Sequence, residues 1–76
     1  MSMITDEVIE DLADGLYRQY EFINKCYEEE ARQKYFVQLR DDTILVANVV
    51  HKHNRFYDMD EFYRRSGYVG VAPRYN

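Results

Sequence analysis

Seventy-six residues, 46% of them hydrophobic and 32% charged, suffice for one domain, 1–76, with a single thin core, and exclude both a disordered chain and an enclosed active-site cavity. The longest apolar run, Ile44 to Val50, is interrupted by Asn48 and is far too short to cross a membrane. A net charge of −4 and a pI near 5.0 argue against general nucleic-acid affinity; lone Cys26 rules out an internal disulfide, and with no leader-like stretch in Met1 to Thr5 the expected compartment is the cytoplasm.

The charge is unevenly placed. Residues 1–32 hold nine acids and three bases, whereas residues 33–76 hold five acids and seven bases, so the two halves present opposite fields to a partner. No internal repeat or low-complexity linker divides them.

From Thr5 to Arg32 the spacing predicts one long amphipathic helix. At about 100° per residue, Val8, Ile9, Leu12, Leu16, Tyr20, Ile23, Cys26 and Tyr27 fall on one stripe, and Asp6, Glu7, Glu10, Asp11, Asp14, Glu21, Glu28 and Glu29 fall on the opposite side, interleaved with Arg18, Lys25 and Arg32. Thr5 is the expected cap, with Asp6 and Glu7 complementing the dipole and Ile4 stapling on Ile9. Gly15 costs about 1 kcal/mol in a helix interior, yet the stripe keeps its phase across it, so an unbroken helix in which Gly15 admits a neighbouring backbone is favoured. Such a helix spans roughly 42 Å and overhangs a core of this size. It must break, or pack its exposed end on a second copy or another protein.

Tyr35–Arg40 and Thr43–Val50 are rich in β-branched and aromatic residues and flank Asp41 and Asp42, a pattern that predicts an antiparallel β-hairpin. In that register Leu39 faces Ile44 and Val37 faces Val46. Phe56 and Tyr57 form a short third strand or enter the next helix, and Tyr68–Val71 reads as an edge strand before a loose end from Pro73 to Asn76. Between them lies a well-marked short C-terminal helix. Asp58 caps it, Glu61 completes a capping box, Tyr57 staples on Phe62, Arg64 and Arg65 occupy the last turn, and Gly67 ends it. The expected fold is therefore α+β: a long N-terminal helix, a hairpin and a short C-terminal helix, with both helices on one face of the sheet.

Little here points to chemistry. His51 and His53 would share one side of a strand, but no spacing supplies a third and fourth metal ligand. Cys26 sits on the apolar stripe, where a thiol behaves as a small hydrophobe, and Gly15, Gly67 and Gly70 form no phosphate loop. The expectation is a protein that is not an enzyme and holds no metal or cofactor.

Two surfaces are candidates for binding. The first is the acidic helix face, where Asp6, Glu10, Asp11, Asp14 and Glu21 surround Tyr17, an aromatic displaced from the apolar stripe; a carboxylate row with an aromatic anchor suits a basic cleft on another protein. The second is the basic, Tyr-rich C-terminal half, where Lys52, Arg55, Arg64 and Arg65 would track a nucleic-acid backbone. Against these stand the ordinary roles of a solvated charged face and of arginines that complement a helix C-terminus.

In size, charge and compactness the chain resembles the small acidic inhibitors that phages deploy against host nucleases and polymerases. That resemblance implies a non-enzymatic protein-binding module that occludes a basic nucleic-acid-binding surface through its acidic helix. The alternative is a small nucleic-acid-associated regulator using Lys52, Arg55, Arg64 and Arg65. An overhanging helix with Gly15 at its margin also predicts a homodimer under either reading.

Overall fold

The computed structural model describes residues 3–68. They form three helices, α1 (Asp6–Asn24), α2 (Glu29–His53) and α3 (Met59–Ser66), and no strand occurs among the described residues. The expected α+β fold is thus corrected to an all-α one.

Helix α1 begins as its sequence dictates. Thr5 is extended, and its hydroxyl accepts from the Val8 amide at 3.2 Å, with Asp6 and Glu7 in the first turn. The helix passes unbroken through Gly15 but ends at Asn24, not Arg32. The amides of Lys25 and Cys26 donate to the carbonyls of Phe22 and Ile23 at 3.2 and 2.9 Å, which tightens the last turn. The break resolves the overhang: a straight continuation would have had nothing to pack on. Tyr27, placed on the apolar stripe by periodicity, instead lies fully exposed in the connection.

The hairpin expected from Tyr35–Arg40 and Thr43–Val50 lies wholly inside α2, and Asp41 and Asp42 are two of its interior residues. No glycine or proline occurs between Glu29 and His53 to stop a helix. Its buried positions Leu39, Thr43, Ala47 and Val50, with half-buried Phe36, recur every three or four residues. This stripe is hard to see because Val37, Ile44, Leu45 and Val49 occupy other sides of the helix and are exposed. Those extra apolar residues simulate a strand with two buried faces. Leu39 and Ile44, expected side by side, have opposite fates, one buried and one exposed.

Phe56 and Tyr57 fall in the turn between α2 and α3 and form no third strand. Helix α3 follows its signposts: Asp58 accepts from the Asp60 amide at 3.0 Å, and Gly67 closes the helix in the left-handed conformation at φ 79°. Glu61 departs from the expected capping box and pairs with Arg64 through Arg64 Nε at 2.9 Å. In the expected edge strand, Tyr68 is helical, and Val69, Gly70 and Val71 lie outside the described residues, as does the end from Pro73 to Asn76.

Helices α1 and α2 form an antiparallel pair. Asn54, just past α2, donates to the Ile4 carbonyl at 3.1 Å and to Asp6 Oδ1 at 3.2 Å and accepts from the Phe56 amide at 3.3 Å, a clasp that fixes the open end of the pair. Helix α3 runs beside α1, and together the three bury Ile9, Ala13, Leu16, Leu39, Ala47, Val50 and Phe62. The hydroxyls of buried Thr43 and Ser66 are satisfied locally: Thr43 donates to the Leu39 carbonyl at 2.7 Å and Ser66 to the Tyr63 carbonyl at 3.0 Å.

Eight residues give α3 a length of about 12 Å, against roughly 37 Å for α2. It can cover only part of the α1–α2 hairpin. The molecule is a rod of 43 × 24 × 17 Å whose turn end, around Phe22 to Tyr35, projects beyond α3. No helix among the described residues is long and apolar enough to cross a membrane.

Candidate functional site

The acidic face expected to meet a partner is largely the edge on which α3 sits. On α1, Asp6, Glu10, Asp14, Tyr17 and Glu21 recur at three- and four-residue intervals, so they line one edge of the helix. Arg65 of α3 reaches that edge and donates to both oxygens of Asp14, at 2.8 and 3.2 Å, with Glu10 3.8 Å away. The guanidinium holds the Asp14 carboxyl below its ordinary pKa, and Arg65 is raised in turn. Asp6 accepts from Asn54, and the Tyr17 ring lies over Gly67, where a Cβ would come within 2.9 Å of its Cδ1. Asp11 lies on another side of α1, and Asp11 and Glu21 have no ion-pair partner among the described residues.

The basic group is divided as well. Arg64 pairs with Glu61 and lowers the pKa of that carboxyl, and Arg65 is committed to Asp14. Lys52 and Arg55 remain exposed at and just past the C-terminus of α2, where Lys52 complements the helix dipole. Tyr57 is half-buried between these groups: its buried hydroxyl finds no hydrogen-bond partner among the described residues, and burial, then the charges of Glu10 and Glu61, raise its pKa. His51 and His53 are helical, and no three metal-ligating side chains gather among the described residues. Cys26 is half-buried in the turn between α1 and α2.

What the structure leaves open is apolar. Phe22 is 80% exposed and Tyr35 54%, and with Ile23, Lys25, Cys26 and Tyr27 they line an open groove of about 410 Å³ at the turn end. From Phe22 a stripe runs back along α1 through Gln19, Gly15, Leu12 and Val8, and from Tyr35 another runs along α2 through Gln38, Asp42, Leu45 and Val49, each stepping by three and four residues. Val8, Leu12, Leu45 and Val49 are exposed. The groove joins the two stripes into one flank of the hairpin. Its edge of α1 is distinct from the one that carries Glu10, Asp14 and Tyr17 to α3.

Six exposed side chains on this flank, Val8, Leu12, Phe22, Tyr35, Leu45 and Val49, together leave on the order of 600 Å² of mostly apolar surface in water, in two groups separated by Gln19, Gln38 and Asp42. The signal was present in the sequence: positions 8, 12, 15, 19 and 22 form a second heptad-like series beside the core series 9, 13, 16, 20 and 23. It was hidden because Val8 and Leu12 fall within the width of a single core-facing stripe.

No family model matches the chain, and no curated protein or solved structure matches it.

Proposed function

We propose that the chain is a non-enzymatic protein-interaction module that binds through the apolar flank of its α1–α2 hairpin. The observation that carries this reading is the exposure of Phe22, Tyr35, Leu45 and Val49 along one flank of the α1–α2 hairpin, in a chain whose fully covered core among the described residues is small. Aromatic residues at the turn end supply large contact area at low entropic cost, and the surrounding Arg18, Lys25 and Lys34 form a polar rim.

This surface is a better binding site than the acidic edge of α1. Occlusion of a basic cleft by Asp6, Glu10 and Asp14 would compete with Asn54 and Arg65 for the same carboxylates, leaving Asp11 and Glu21 to carry the attraction. A nucleic-acid role through Arg64 and Arg65 meets the same competition from Glu61 and Asp14.

Site-specific photo-crosslinking in the host cell tests the assignment. A photoreactive phenylalanine analogue at Phe22, Tyr35 or Leu45 is expected to give a covalent adduct with a polypeptide, while the same group at Arg64 on α3 gives none. Adducts at none of the three flank positions, or equal yield at Arg64, would refute the flank as the binding surface.

A further inference from the structure

Among the described residues nothing requires glycine at position 15. It lies mid-helix with ordinary backbone angles, and a Cβ added there would meet no described atom closer than Arg18 Nη2 at 3.8 Å, an ordinary contact. Alanine at this position would favour the helix by about 1 kcal/mol. Glycine in a helix without a close neighbour of its own chain suits a close neighbour from another. Gly15 also stands at the centre of the exposed α1 stripe, with Leu12 and Val8 on one side and Gln19 and Phe22 on the other, and an open groove beside it is lined by Arg18, Gln19, Phe22 and Ile23.

We propose that the occupant of the flank is a second copy of this chain, packed antiparallel on α1 about a two-fold axis that passes by Gly15, so that two helical hairpins form a four-helix assembly. The proposal rests on the flank being the binding surface and names its partner. An axis at Gly15 relates each position to the one equally far on the other side. Val8 then meets Phe22 of the second copy, and Leu12 enters the groove between Gly15 and Phe22.

Charge selects this orientation. Outside the apolar stripe the exposed rim of α1 reads Glu7, Asp11, Arg18 and Lys25, two acids followed by two bases, and none of the four has an ion-pair partner among the described residues. Antiparallel pairing sets Asp11 opposite Gln19, one residue from Arg18 of the second copy, and Glu7 within a turn of its Lys25, each contact occurring twice by symmetry; parallel pairing would set like against like. The same operation pairs the α2 stripe of Tyr35, Gln38, Asp42, Leu45 and Val49 with its own copy, Gln38 donating to Asp42 at 3.0 Å in its middle.

The area is also right. A specific dimer buries about 800 Å² per partner, of which roughly 65% is apolar in homodimers. The flank offers on the order of 600 Å² of mostly apolar surface.

Sedimentation equilibrium of the full chain decides the matter. The wild type is expected at twice its 9.2 kDa mass at micromolar concentration. Gly15→Leu places a branched side chain on the axis and should weaken the dimer at least ~100-fold with helix content by circular dichroism retained. Asp11→Arg and Arg18→Asp should each weaken it about 5- to 10-fold, and the double variant should recover to within about 3-fold of the wild type.

A wild type that stays monomeric to millimolar concentration overturns the proposal, as does a dimer indifferent to the charge reversals. If Gly15→Leu loses helix content, the charge-reversal pair decides alone. A monomeric chain that still forms adducts with another polypeptide through Phe22 and Tyr35 would discard the second copy and leave the interaction module standing. Absence of any adduct at the flank would discard both.

Discussion

Asn54→Asp tests the clasp that sets which edge of α1 faces which neighbour. Asn54 is 5% exposed, and its side-chain amide donates to the Ile4 carbonyl and the Asp6 carboxylate; aspartate at pH 7 can donate to neither. A bond to a neutral carbonyl contributes about 1 kcal/mol and one to a charged group about 1.5–3 kcal/mol. The new carboxylate would also stand near 3.2 Å from Asp6 Oδ1, a repulsion of about 5 kcal/mol at an effective dielectric of 20 if nothing moved. Asp6 is exposed and can swing into water, which removes most of that repulsion together with its hydrogen bond.

The acceptor role toward the Phe56 amide survives, so the net loss is about 3 kcal/mol, out of roughly 4–11 kcal/mol for a domain of this size. Urea unfolding followed by circular dichroism at pH 7 reads it directly. The sign of the pH dependence follows from the burial of the new carboxylate beside the Ile4 carbonyl. Burial raises its folded pKa above the unfolded value near ~3.9, so the penalty is complete above the folded pKa and is relieved as pH falls through it and the protonated group regains a donor. The stability gap between wild type and variant should therefore shrink between pH 7 and pH 4. A gap below 1 kcal/mol at pH 7, or one that does not change with pH, would refute the clasp.

Two further outcomes follow from the α1–α3 contact. Gly67→Ala forces a Cβ into the left-handed region, at about 1–2 kcal/mol, and toward Tyr17 Cδ1 at 2.9 Å, so a loss of about 2 kcal/mol is expected in urea unfolding, part of it recovered when Tyr17 is also reduced to alanine. Arg65→Gln removes the group that depresses the Asp14 pKa. That depression stabilises the fold above the unfolded carboxyl pKa and is lost as pH falls through the lower folded value, so the melting-temperature difference between wild type and variant should be constant above about pH 5 and narrow below pH 4.

The start of α1 and both ends of α3 were legible in the sequence, while the end of α1 at Asn24 and both ends of α2 were not. Thr5, Asp58 and Gly67 act through bonds to residues two or three positions away, or through their own backbone angles, and each sits where its side chain or φ requires. The core positions of α1 were readable in part: Ile9, Leu16, Tyr20 and Ile23 keep one phase through Gly15, but Val8 and Leu12 of the same expected stripe are exposed and Ala13 joins the core. Residues 35–50 were not readable in the same way. Val37, Leu39, Ile44, Leu45, Val46 and Val49 satisfy a strand pattern and a helix pattern together, and β-branched side chains tipped the local preference toward the strand. Packing decides such cases, because a helix here places Leu39, Thr43, Ala47 and Val50 against Ile9, Ala13 and Leu16, whereas an isolated hairpin would bury one face at most.

The partner surface divides along the same line. Sequence by itself determined that α1 carries one charged side and one apolar side, because that depends on spacing within a single helix. Which side stays in water was decided by tertiary structure: α3 is short, sits on the acidic edge and brings Arg65 to Asp14, so the carboxylates are partly neutralised from within while the opposite flank keeps Val8, Leu12 and Phe22 uncovered. A residue's neighbours along one helix are fixed by a repeat of 3.6, but what covers that helix depends on the length and placement of elements distant in sequence.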